Sequence, residues 1–299
     1  MSKKILVLYY TQSGQLGDIL RKFAEPLVDA GNTVEYVFVK PEKEYPFPWT
    51  SKSFFSVMPD SVLGNTTPLI PFQLEEKNYD LIIFGYQPWF LSPSIPANSI
   101  LQHPDIARVL KNTPVITITG ARNMWISALE RIKKTLKEHG SNLVGNVALV
   151  DKNQNHVSVI TICYWMFTGK RDRFLSVFPK PGVSESDISQ CREYGKIVEK
   201  YLQKNNWADL QNELLAHKAV IIDYNLMFTE LKGAHLFNLW AGLISKRKNK
   251  TVWLVVFKYY LIIALFIAAP IILLLNTLLF KPFLSARIKK QTDYYLGVN

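Results

Sequence analysis

Residues 259–280 form a run of 22 side chains without a single charge. Removed from water, such a run folds as a helix, because a helix satisfies every backbone N–H and C=O inside its own segment. At 1.5 Å per residue it would reach ~33 Å, enough for a hydrocarbon core of ~30 Å. Pro270 sits at its middle, and the halves 259–269 and 271–280 are each too short to cross alone. A single span and a re-entrant or in-plane hairpin are therefore both open. Lys246, Arg247, Lys248 and Lys250 precede the run, and Lys281, Arg287, Lys289 and Lys290 follow it. Two basic flanks ask to lie on the same cytoplasmic side, which favours the hairpin, while length favours the span. A helix buried in a soluble core is the remaining reading.

The net charge of +11, from 35 Lys and Arg against 24 Asp and Glu, takes its meaning from that run. Ten of the bases and one acid, Asp293, lie from residue 232 onward, so the tail holds +9 and the first 231 residues only +2. A nearly neutral globular part speaks against nucleic acid as a partner. A basic tail gains ~1 kcal/mol per near-surface charge beside anionic headgroups, so membrane lipid is the expected partner. We expect a membrane-associated tail over residues 251–299 and a helical linker over 206–250. Within the linker, residues 234–244 carry Leu236, Phe237, Leu239, Trp240 and Leu243, and read either as an interfacial amphipathic segment or as packing on the domain. Cys163 and Cys191 are too few for a disulfide framework or a four-thiolate zinc site, which points to a reduced compartment. The apolar run 5–10 behind Lys3 and Lys4 is too short for a signal-peptide core. The expected location is the cytoplasmic face of the inner membrane, with the C-terminal hydrophobic segment as anchor.

Residues 1–205 alternate strand-like and helix-like patterns, the mark of an α/β domain whose parallel sheet is covered on both faces. Five core strands are expected, at 5–10, 33–40, 81–85, 114–120 and 146–150. Helices are expected from about 17 to 30, from 127 to 139 and from 184 to 204, the last opened by the cap pattern of Ser184 with Asp187. Residues 157–163 either extend the sheet or begin an insertion. Residues 41–78 exceed a minimal connector between the second and third strands and are rich in rings. Segments of that kind act as lids or binding walls, and Trp49, Phe54 and Phe55 are its candidate substrate contacts.

In an open parallel sheet a ligand binds beyond the carboxyl ends of the strands, where strand order reverses, so the loops after the first, third and fourth strands converge. The first loop, Thr11, Gln12, Ser13, Gly14, Gln15 and Leu16, offers hydroxyls, a glycine and N–H groups ahead of a helix. That composition cradles a phosphate without Lys or Arg. It contains neither G-x-x-x-x-G-K-[ST] nor G-x-G-x-x-G, and an ordinary polar turn with a helix cap is the plainer reading. The second loop brings Gln87, Pro88, Trp89 and Phe90, a stiff wall of rings and prolines. The third brings Gly120, Ala121, Arg122, Asn123, Met124 and Trp125. Two indoles beside a phosphate loop suggest a planar ligand stacked on Trp89 and Trp125 and bonded at its edge by Asn123, unless both indoles are core packing.

These loops resemble those of flavodoxin-like FMN proteins, and the resemblance covers residues 3–202. Thr11, Ser13 and Gly14 match the T-x-T-G-x-T phosphate loop, whereas Leu16 stands where a last hydroxyl is expected. Gly85 and Trp89 match a G-x-P-x-W loop, with the proline displaced by one place to Pro88. The resemblance implies a doubly wound five-stranded sheet of order 2-1-3-4-5 and FMN as cofactor, held by the three loops. The chain further resembles the dialkylresorcinol condensing enzymes, or DarA-type aromatases, at residues 9–15, 47–51, 58–59 and 120–125 and in its membrane-prone tail. That family implies an FMN-dependent oxidation of a 2,5-dialkylcyclohexane-1,3-dione to a dialkylresorcinol for flexirubin- and aryl-polyene-type lipids. It also implies a lipophilic small-molecule substrate and a ketosynthase as partner, and it admits a homodimer.

Aromatising such a ring removes a hydride and an acidic proton, so a base is required. His103, Tyr86 and His156 are the candidates, while His139 at a helix end reads as a cap. No histidine pair has metal-ligand or triad spacing, so no metal is expected. The run 170–173 reads first as a solvated charged loop. Three other functions would fit the same architecture: a membrane-bound NAD(P)H:quinone oxidoreductase, a flavodoxin-type electron carrier, and a membrane scaffold without flavin. The long lid and near-neutral globular part count against the carrier, which needs an open flavin edge and a charged docking face.

Overall fold

The computed structural model describes residues 2–298, and for Pro282 the backbone alone. Strand β1, Lys4–Tyr9, is buried at every position after Lys4, as a strand covered on both faces must be. It pairs in parallel with β2, Thr33–Phe38, on one side and β3, Leu81–Tyr86, on the other. Strands β4, Pro114–Ala121, and β5, Asn142–Val150, complete a five-stranded parallel sheet of order β2-β1-β3-β4-β5. This is the expected order, and the reversal falls between β1 and β3.

Helix α1, Gln15–Asp29, covers one face of the sheet; α2, Ser51–Ser56, and α3, Met58–Leu63, follow in the lid. The opposite face takes α4, Ile95–Leu101, α5, Pro104–Leu110, and α6, Ile126–Glu138. Then come α7, Asn155–Thr168, α8, Glu185–Lys204, α9, Leu210–Ala216, and α10, Tyr224–Ser245. Two cores result. Ile19, Leu20 and Phe23 of α1 meet Tyr194 and Val198 of α8 under β1 and β3, while Ile100, Val109, Leu129 and Ile132 fill the other side. Each such side chain contributes ~1.5–3 kcal/mol on burial.

Residues 157–163 form neither a strand nor an edge of the sheet. Gln154 caps α7 by accepting the Val157 N–H at 3.3 Å, and Ser158, Thr161 and Trp165 make its buried stripe, so packing overrides the β-branched composition. In the lid, Thr50 and Ser53 cap α2 reciprocally. The Ser61 hydroxyl of α3 reaches the carbonyls of Trp89 and Pro93 at 3.0 and 3.1 Å and fastens the lid to the second loop.

The tail is one helix, α11, Lys250–Phe280, of 31 residues, long and apolar enough to cross a membrane. This overturns the hairpin reading: Pro270 stays inside the helix. A widened turn at Ala264–Ala268, closed by the Ala269 N–H on the Ala264 carbonyl, precedes the proline and adjusts the ladder that its missing N–H interrupts. Helix α10 is fastened to the globular part, with Glu230 accepting the Trp125 and Ser127 N–H groups at 3.1 and 2.6 Å and Arg131 donating to Asn238 at 3.0 Å. Residues 234–244 thus pack on the domain through Ala241 and Ile244, with Leu236 and Leu239 left outside. Helix α11 runs antiparallel along α10: Trp240 lies 5.1 Å from Tyr260, and Asn276 donates to the Tyr224 hydroxyl at 3.0 Å. A final helix, α12, Ser285–Leu296, returns to the domain, where Gln211 and Lys133 donate to the carbonyls of Leu296 and Gly297 at 2.9 and 3.1 Å.

Candidate functional site

The loop after β1 is built to leave donors free. Gly14 occupies the N-cap of α1 at φ 88°, a left-handed position that favours glycine, and no side chain caps the helix. The first N–H groups of α1 therefore point outward without a side-chain partner, at the positive end of a helix of 15 residues. Thr11 turns its hydroxyl onto the Gly14 N–H at 3.1 Å and shapes the turn. Gln12 ties the loop to its neighbours: its N–H donates to Gln87 at 3.1 Å and its amide to the carbonyls of Tyr45 and Pro46 at 3.0 Å.

Gln15 closes the other side. Its amide donates to the Val183 carbonyl at 3.0 Å and accepts the Val183 N–H at 3.1 Å, so the strap 180–183 lies against the start of α1. Gly182 stands at φ 81°, and a Cβ there would come within 2.7 Å of the Trp165 ring and 2.8 Å of Gln15 Oε1. Arg171 holds the strap from outside, donating to Val183 at 2.7 Å with its guanidinium 5.4 Å over Trp165. This corrects the solvated reading of 170–173 for Arg171.

In the second loop, Pro88–Trp89 and Ser92–Pro93 pair as a short ribbon whose tip, Phe90 and Leu91, has positive φ. Trp89 stands edge-on to Tyr45 at 5.0 Å, Trp49 at 5.4 Å and Tyr10 at 6.2 Å. These edge-to-face contacts join the second loop to the lid through Tyr45 and Trp49 and to the end of β1 through Tyr10. In the third, Arg122 donates to Asn155 Oδ1 at 2.7 Å. Burial lowers the Arg122 pKa to about 10, with Cys163, Asp151 and Glu230 opposing.

All three loops open into one cavity of about 510 Å³. Of the candidate residues, Gln12, Ser13, Gln15, Leu16, Gln87, Pro88, Trp89, Phe90, Gly120, Ala121 and Arg122 line it, as do Trp49, Phe54 and Phe55. Thr11 and Gly14 shape the loop without facing the cavity. Asn123 and Trp125 stay outside its wall: Asn123 donates to Asn155 at 2.8 Å, and Trp125 is 2% exposed in the core beneath Glu230, so the stacking role expected of it falls away.

None of the three proton-transfer candidates lines the cavity. Tyr86 points into the core, where burial, with Glu230 adding, pushes its hydroxyl well above the usual value. His103 precedes α5 with its ring 4.8 Å from Phe72. His156 sits on α7, 5.6 Å from Phe266.

Two walls were not foreseen. Helix α7 contributes Ile162, Cys163, Trp165 and Met166, and α11 contributes Lys258, Leu261, Ile262, Leu265 and Phe266. Burial raises the Cys163 thiol, Arg122 opposing. Lys258 is the one charged residue of 251–280, a signal that was present in the sequence, since an ionisable group inside an apolar helix marks a functional position. Its Nζ donates to Ser51 Oγ of the lid at 3.2 Å.

A parallel sheet of this order with a cavity at its switch point defines the flavodoxin-like class of α/β folds. No family model matches the sequence, and no curated protein matches it. Among solved structures, a flavoprotein in complex with FMN from Lactobacillus acidophilus NCFM is similar over 49% of this chain and 93% of its own, at 21% identity and a TM-score of 0.41. A flavodoxin from the domain Archaea is similar over 67% of this chain and 99% of its own, at 11% identity and a TM-score of 0.37. An oxidised flavodoxin 1 from Bacillus cereus is similar over 67% and 97%, at 15% identity and a TM-score of 0.34.

Proposed function

We propose that the cavity holds FMN and that the chain is an FMN-dependent oxidoreductase acting on a lipophilic substrate at the cytoplasmic face of a membrane. One observation carries the reading: the three switch-point loops, the lid and the apolar tail helix all wall a single space. The residues fit the cofactor. The free N–H groups at the start of α1 and the Ser13 hydroxyl suit its phosphate, and the Gln87 amide and the Arg122 guanidinium supply donors for a heterocyclic edge. Trp49 and Trp89 provide aromatic wall. Bound there, FMN would supply a two-electron acceptor or donor.

The chain's own part is to position and to dry the site. The strap 180–183 and the ring cluster of the lid exclude water from the polar end, which strengthens every hydrogen bond made there. A second apolar cavity of about 460 Å³ adjoins the first and shares Phe54, Phe90, Leu261 and Leu265 with it. With FMN in the first cavity, the second apolar space leaves room beside it for an alkyl-bearing ring, which supports oxidation of a 2,5-dialkylcyclohexane-1,3-dione to a dialkylresorcinol. Lys258, on the cavity wall beside Ser51, would hold an enolate oxygen of such a dione.

Full-length protein purified in detergent should be yellow. Anaerobic bleaching by a dialkylcyclohexanedione, with resorcinol as product, is the expected result. Bleaching by NAD(P)H alone, with reoxidation by a quinone, would replace this substrate with that of a quinone oxidoreductase. Colourless protein that takes up no added FMN would overturn the proposal.

A further inference from the structure

We infer that α11 lies in the plane of one leaflet, with both its ends on the same side of the bilayer, and that the site it walls is filled from the lipid. The inference rests on the membrane reading given above and adds its geometry. Near its start, Phe257 is fully buried against Trp240 and Phe237 of α10, and Lys258 bonds the lid. Near its end, Asn276 is 5% exposed and bonds Tyr224 at the other extremity of α10. Beyond it, α12 docks on α6 and α9, through Tyr294 on Glu130 at 2.8 Å and Gln211 on Leu296. A helix held at both ends by one domain cannot cross a bilayer with that domain on one side. From Lys258 to Asn276 it advances ~27 Å, which a perpendicular span would place almost the whole hydrocarbon core away from the domain.

The exposed surface has the matching chemistry. Tyr259, Ile263, Ile267, Ile271, Leu274 and Leu278 recur at helical spacing and are each 53–64% exposed, on the face opposite Phe257 and Asn276. Two basic clusters then lie at headgroup depth, one at each end, where eight charges face anionic lipid. Aromatic rings sit beside both: Arg247 lies 4.6 Å over Trp253, and Lys281 lies 5.3 Å over Tyr224. Because the same helix walls both apolar cavities, an alkyl-bearing substrate reaches the site sideways from the acyl chains without passing through water.

The test uses the full chain with a short epitope at each end, in sealed inverted membrane vesicles treated with external protease. Both epitopes should be lost without detergent. A second readout is independent of the protease: in the Tyr224→Cys, Asn276→Cys double variant, a short bis-maleimide that spans the reach of the lost tyrosine ring should bridge the two thiols within one chain in the membrane, and should bridge neither single variant. A C-terminal epitope that survives until detergent is added, or a double variant that fails to cross-link, overturns the inference. Flavin content is read separately by absorbance, so a yellow protein with a protected C-terminus refutes the in-plane helix and leaves the proposed function standing. A colourless protein with both ends accessible does the reverse.

Discussion

Replacing Gly182 with alanine isolates how tightly the strap is pressed onto the start of α1. The left-handed φ of 81° costs an L-residue ~1–2 kcal/mol. The new methyl would lie 2.7 Å from Trp165 and 2.8 Å from Gln15 Oε1, an overpacking that costs a further ~1–3 kcal/mol. Gly140→Ala is the control, because Gly140 has φ 68° with nothing within 4 Å of the added Cβ, so only the backbone cost applies. The two variants should differ by ~1–3 kcal/mol, or ~2–12 °C in melting temperature for a protein of this size, read by circular dichroism in detergent. Relief of the clash displaces Gln15 from Val183, so FMN affinity should fall about tenfold for Gly182→Ala, which is ~1.4 kcal/mol, and hold for Gly140→Ala. Equal melting temperatures, or native flavin affinity in Gly182→Ala, would refute the clamp.

Burial raises the Glu230 carboxyl from 4.5 to about 7, against the pull of the N–H groups at the start of α6. The folded state then binds the proton more tightly than the unfolded chain, so wild-type stability should fall as pH rises from ~4.5 to ~7, by about 3 kcal/mol, and level off above. Glu230→Gln should flatten that slope in denaturant titrations at pH 5 and 8; an unchanged slope refutes the assignment. Lys258→Met removes the one cationic group that the tail contributes to the cavity. Flavin content should stay at the wild-type level while turnover of a dialkylcyclohexanedione drops at least tenfold, ~1.4 kcal/mol or more, in steady-state assays; unaltered turnover removes Lys258 from the substrate site.

The sheet was legible because its strands announce themselves locally. Ile5–Leu8 and Leu81–Phe84 are unbroken apolar runs that only a doubly covered strand accommodates, and strand ends locate the three loops. What escaped was decided by contacts distant in sequence. Trp125 and Trp165 are indistinguishable in composition, yet a carboxylate 105 residues away draws the backbone of Trp125 into the core, while α7 turns Trp165 to the cavity. Residues 157–163 have the β-branched content of a strand, and a single cap at Gln154 with an inward stripe makes them helical. Periodicity could mark one face of the tail as apolar, but not that Leu261 and Leu265 on its other side would complete a site whose remaining parts lie before residue 183. Proton-transfer residues were the least legible, because sequence places a histidine near a loop without fixing which way its ring turns.

The hydrogen-bonded pair Gln15 and Val183 joins points 168 residues apart. A ribosome working at ~5–20 residues per second needs about 10–30 s to travel between them. Throughout that interval the nascent chain has the turn but not its strap, so under the proposed function FMN would load only in the last stage of synthesis, when the hydrophobic tail is about to emerge.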